Sequence, residues 1–163
     1  MTTRADFTDP EWTQVSAVPG LVLVAACLSD GHMMPSVREL SAGSEALAKG
    51  IDAYPGNAIL QEWKTDSKQG ADAAKDAAKP EEGEKVANVA QAVDSIVADL
   101  EPGLALLRAK ATSEEFTQIG DVLSATAKAV VERLGDGFWG SGKEKVDATE
   151  QQFIDRLAGL LAG

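Results

Sequence analysis

Leu21-Val-Leu-Val-Ala-Ala-Cys-Leu28 is the longest apolar run in the chain, and its reading decides the fold. Eight apolar residues in succession suit a buried strand or a stretch of buried helix, because periodicity does not separate the two at this length. A strand needs partners for its backbone N–H and C=O groups, and no other stretch alternates as a half-buried strand does. The run is therefore read as a short helix, and the chain as an all-α, single-domain bundle of about six or seven helices over residues 1–163. It falls short of the roughly 20 apolar residues that span a bilayer, so it reads as a buried segment and no membrane insertion is expected.

The segments on either side carry helix signals of their own. Thr8-Asp9-Pro10-Glu11 has the spacing of a capping box with proline in the first turn. Trp12 and Val15 follow at a helical interval, and Pro19-Gly20 is expected to end that helix before the apolar run begins. Ser29 to His32 reads as a turn. Pro35 or Ser36 then opens a helix with Val37, Leu40, Leu47 and Ile51 on one face. Tyr54-Pro55-Gly56-Asn57 closes it and starts a short helix through Ile59, Leu60 and Trp63.

From Lys64 to Lys85 no apolar side chain exceeds alanine, so this segment packs weakly, as a linker or a frayed, exposed helix. Its Ala-Lys-Asp pattern also resembles desiccation-protective segments, although a plain surface linker has the same composition. An apolar stripe returns at Val86, Val89, Val93, Ile96, Val97 and Leu100. Glu101-Pro102-Gly103 is expected to kink or break it before Leu104, Leu106 and Leu107. Thr112 and Glu115 form a second capping box ahead of Phe116, Ile119, Leu123, Ala127, Val130 and Leu134. Asp147 and Glu150 form a third, ahead of Phe153, Ile154, Leu157, Leu160 and Leu161.

The composition narrows the chemistry. The chain has 163 residues, with 15 Lys plus Arg against 26 Asp plus Glu, a formal charge of −11 and a pI near 4.5. Counterion release on nucleic acid requires basic residues against phosphate, so no nucleic-acid partner is expected. One cysteine and one histidine exclude an internal disulfide and a Cys/His zinc cluster. A di-iron bundle would need two Glu-x-x-His pairs, and His32 stands alone. Cys27 lies in the apolar run, where a thiol is inert and fits a reducing, cytoplasmic setting. Residues 1–10 lack the apolar core of a signal peptide.

Two constellations remain. Gly137-Phe-Trp-Gly-Ser-Gly142-Lys143 has the Gly-x4-Gly-Lys spacing of a phosphate loop. It lacks a preceding strand and a following Ser or Thr, so it reads as a decoy. Within it, Phe138 and Trp139 either fold back onto the bundle or stay exposed as a protein-contact anchor. The second constellation is acidic. Asp30, in the turn with His32, joined by Glu39, Asp147 and Glu150 would make an oxygen-rich set suited to Mg²⁺, Ca²⁺ or Mn²⁺. The competing reading leaves Asp147 and Glu150 as a helix cap and the others as surface carboxylates.

Phe7-Thr-Asp-Pro-Glu-Trp12, the Gly137-Phe-Trp-Gly-Ser-Gly142 loop and Val146-Asp-Ala-Thr-Glu150 together resemble an uncharacterised bacterial family. That family has a Phe-Thr-x-Glu-Glu-Trp opening and a Gly-Phe-Leu-Gly-Phe-Gly-Gly loop. More distantly, Ala25-Ala-Cys-Leu-Ser-Asp30-Gly31 with Glu39, Val146, Asp147 and Glu150 is similar to tellurite-resistance TerB-like proteins. That resemblance implies an all-α, cytoplasmic protein with acidic residues used in metal binding and stress-associated complexes. The expectation is a non-enzymatic acidic helical protein acting through protein contacts or self-association, with no organic cofactor. A TerB-like module holding a divalent cation such as Mg²⁺ or Ca²⁺ is the alternative.

Overall fold

The computed structural model describes residues 1–29, 37–76, 89–135 and 148–163. Among these there is no strand. A single 3₁₀ turn, Arg4–Asp6, precedes six α-helices: α1 (Asp9–Leu28), α2 (Val37–Ala53), α3 (Ala58–Asp76), α4 (Val89–Lys110), α5 (Ser113–Gly135) and α6 (Ala148–Ala162). The chain is thus an all-α bundle.

The apolar run is helical, and it is the second half of a longer element. Pro19-Gly20 does not end the first helix: α1 runs unbroken from Asp9 through both residues to Leu28. A proline in a helix interior costs about 3 kcal/mol and a glycine about 1. Burying a valine contributes about 1.5–3 kcal/mol, and Val15, Val18 and Val22 are all fully buried. Tertiary burial therefore outweighs the local penalty. Trp12, Ala25, Ala26, Cys27 and Leu28 are buried too, so α1 is apolar on most of its circumference, as a central helix must be. It touches each of the other five helices, most extensively α4 and then α5, while α2 packs chiefly on α5. By length and composition α1 is also apolar enough to cross a membrane, and half of its apolar window is buried in the bundle.

Glu101-Pro102-Gly103 likewise does not break its helix, and α4 continues through it to Lys110. The reason is visible at Gly103, which is buried. A Cβ there would lie 2.5 Å from Val18 Cγ2 and 2.8 Å from the Gln14 carbonyl oxygen. Glycine lets the backbones of α4 and α1 meet, and Val93, Val97, Leu100, Leu104 and Leu107 are buried along the same helix. Pro102 itself is exposed. Replacing it with alanine restores an N–H to the helix and removes the ring from the turn before it. Pro102→Ala is therefore expected to stabilise the bundle by about 2 kcal/mol, the helix gain less the unfolded-state entropy that proline removes. A rise in the urea midpoint at unchanged slope is the corresponding measurement.

The Tyr54–Asn57 turn closes α2 as expected. Asn57 is buried there; its amide donates to the Glu115 carbonyl and to Gln118, and its Oδ1 accepts from the Leu60 N–H. Of the weakly packing segment 64–85, the residues to Asp76 continue α3, and the remainder lies outside the described residues. Its start is anchored: Lys64 pairs with Asp52, and Asp66 accepts from the Trp12 indole N–H at 3.2 Å. On α6, Phe153 and Leu157 complete the core.

Candidate functional site

The best-defined polar cluster lies where the N-terminal residues meet the C-terminal end of α4 and the first turn of α5. It is assembled from two capping boxes. In the first, the Thr8 N–H donates to Glu11 Oε2 at 2.7 Å, and the Glu11 N–H reaches the Thr8 hydroxyl at 3.5 Å. The residues flanking this box, Phe7 and Trp12, pack with ring centroids 5.7 Å apart and planes tilted by 55°. They occupy the positions of a hydrophobic staple, which fixes the entry angle of the chain into the helix. The Phe-Thr-x-x-Glu-Trp motif is thereby accounted for as one helix start. In the second box, the Thr112 N–H donates to Glu115 Oε2 at 2.9 Å, and the Glu115 N–H donates to the Thr112 hydroxyl at 3.2 Å.

Lys110, the last residue of α4, links the parts. Its ammonium donates to Glu11 Oε2 at 2.8 Å and to the Asp6 carbonyl at 2.9 Å, and sits 5.1 Å above the Phe7 ring. The ammonium, with the N–H and hydroxyl of Thr8, holds the Glu11 carboxyl at about 2. Arg4 pairs with Asp9 and lies over the Trp12 ring. Burial pushes the Glu115 carboxyl up, but the N–H groups of Thr112 and Thr2 and the hydroxyls of both residues outweigh it. Glu115 is accordingly held at about 2. These side chains bond neighbouring segments of the chain, so the cluster ties helix ends together.

The residues singled out in the sequence fare differently. Asp30, His32, Asp147, Phe138 and Trp139 lie outside the described residues, as does the Gly137–Lys143 loop. Glu39 is placed in α2 by its backbone, and its side chain is outside the description. Glu150 is buried in the first turn of α6. Of the four carboxylates, only the Glu150 side chain falls within the described residues. Among the described residues, no group of three or more His, Cys, Asp or Glu side chains is placed to hold a metal ion. Sequence reading found Glu115 as a cap and missed its second role toward Thr2. The two residues are separated by 113 positions, and no local pattern signals the contact.

No protein-family model, curated protein or solved structure matches the chain. The class that fold and cluster define is an acidic all-α bundle, with six helices among the described residues, packed around the central apolar α1.

Proposed function

We propose that this protein is a non-enzymatic, cytoplasmic helical module that works through contacts with another protein, in a bacterial stress-related assembly. One observation carries the reading. Arg4, Lys64, Lys110 and Arg156 are each engaged by a carboxylate. Among the described residues, the exposed Glu45, Asp99, Glu101 and Glu132 face no such partner, and neither do the exposed Lys49, Arg108 and Lys128. With 26 Asp plus Glu against 15 Lys plus Arg, the balance of charge that the chain offers to its surroundings is acidic, and the complementary partner presents a cationic face. The buried Asn57 and Glu115 are engaged with helix ends, which supports a scaffold over a reaction centre. The packing of α1 against α4 and α5 supports its use as a core helix away from a bilayer.

The test is native mass spectrometry on protein purified without chelators, combined with partner recovery at low and high salt. The expected result is no stoichiometric ion and a protein complex that salt dissociates. Trp139→Ala should abolish that complex without loss of helix content. A mass excess of one divalent ion, lost in Asp30→Asn, would overturn this reading in favour of the TerB-like metal module. The subunit count in the same spectrum tests self-association.

A further inference from the structure

Residues 2–7 cross the end of the bundle before α1 begins, and their fixation converges on one carboxylate. Thr2 is buried, and its N–H donates to Glu115 Oε1 at 2.8 Å. The Thr2 hydroxyl lies 2.9 Å from Glu115 Oε2 and 3.0 Å from the Lys110 carbonyl. Glu115 Oε2 also accepts the Thr112 N–H of the α5 cap. The two carboxylate oxygens therefore share the work unequally: Oε1 holds the Thr2 N–H, while Oε2 both closes the capping box and accepts the Thr2 hydroxyl. At the other end of this segment, the Lys110 ammonium holds the Asp6 carbonyl, and Phe7 is seated against Trp12.

We propose that residues 2–7 form a releasable strap latched by Glu115, which opens as a unit when Glu115 is neutralised while the six-helix bundle stays folded. An ionised carboxylate is an acceptor at both oxygens, whereas a neutral carboxyl or amide keeps only part of that capacity. Glutamine serves as well as glutamate at the third position of a capping box. In Glu115→Gln the amide oxygen can keep the Thr112 N–H and the Thr2 hydroxyl. Its NH₂ group then faces the Thr2 N–H, donor against donor. The buried Thr2 N–H loses its acceptor, and such an orphan costs more than the bond itself contributes.

The charged surroundings of Glu115 are few. The Met1 ammonium lies at 4.0 Å from the strap side. From α4, the Lys110 ammonium is turned to Glu11 and Asp6. Glu114 precedes it in the first turn of α5 and meets Gln118. The neutral Asn57 amide bonds its backbone carbonyl from the α2–α3 turn. Because the folded carboxyl titrates near 2, below its ordinary 4.5, the latch is complete above pH 4.5 and is lost as pH falls through about 2.

Amide hydrogen exchange by NMR tests this in the whole chain. In Glu115→Gln, the Asp6 and Phe7 amides should exchange at least about tenfold faster, the loss expected for a charge-assisted bond. The Phe116 amide, which bonds the Thr112 carbonyl, should keep its wild-type rate. In Glu115→Ala both sets should quicken, since the cap is lost as well. The Thr2 amide shift, which reports Glu115 Oε1 directly, should titrate as pH falls toward 2 in the wild type and not in Glu115→Gln, whereas shifts beside Asp6 and Glu11 follow their own carboxyls in both. Unchanged Asp6 and Phe7 exchange in Glu115→Gln would overturn the latch. Equal acceleration in the strap and throughout α5 would replace it with global destabilisation.

Discussion

Trp63→Ala lowers the unfolding free energy by about 3–5 kcal/mol, the range for removing a buried aromatic side chain from a packed core. Trp63 is 1% exposed and sits beside Ile59 and Leu60, both fully buried. These three residues are the apolar anchor of α3, beyond which the sequence turns polar. A single domain commonly holds only about 5–15 kcal/mol of stability, so this change takes a large share. The indole adds a second effect. Its Nε1 is buried with no hydrogen-bond partner among the described residues, and an unsatisfied buried donor costs about 1–3 kcal/mol. Trp63→Phe removes that donor together with part of the ring volume, and the two effects oppose each other. The phenylalanine variant is expected within about 1 kcal/mol of wild type. Urea unfolding of the two variants separates these contributions. If phenylalanine is as damaging as alanine, the indole N–H has an acceptor in solution and the assignment of an orphan is wrong.

What was legible in the sequence was whatever depends on residues within a turn of one another. The boxes at Thr8–Glu11 and Thr112–Glu115 read correctly because a capping box is a three-residue relation. The stripe Val93, Ile96, Val97 and Leu100 read correctly because helical spacing places those side chains on one face, and three of the four are buried. The break expected at Pro19-Gly20, and the break offered as one of two outcomes at Glu101-Pro102-Gly103, failed for one shared reason. Proline and glycine act on their own turn, while the compensating burial comes from helices far away in the chain. The strap shows the same limit at the candidate site. Glu115 was found through Thr112, three residues away, and Thr2 was not, 113 residues away. The helix through Asp76 needed no apolar face, since alanine and lysine are among the better helix formers.

Gly103→Val forces α4 away from α1 and is expected to cost about 1–3 kcal/mol or more, in the manner of an overpacked core. The magnitude depends on what can move. At Gly43, an added Cβ would come within 2.1 Å of Leu23 Cδ1 and 2.7 Å of Val130 Cγ2, side-chain atoms of which the leucine methyl can move by a change of rotamer. At Gly103 one of the opposing atoms is the Gln14 carbonyl oxygen at 2.8 Å, part of the α1 backbone. It cannot yield unless the helix axis shifts. A shift there loosens the most extensive helix pair in the bundle, including the fully buried Val15, Val18, Leu100 and Leu107. Gly103→Ala should therefore already destabilise, although alanine is the better helix former by about 1 kcal/mol. Alanine at the exposed Pro102 beside it should stabilise. Opposite signs for adjacent alanine substitutions in one helix distinguish close backbone approach from helix propensity. If both variants stabilise, propensity governs this stretch and α4 does not depend on contact with the α1 backbone.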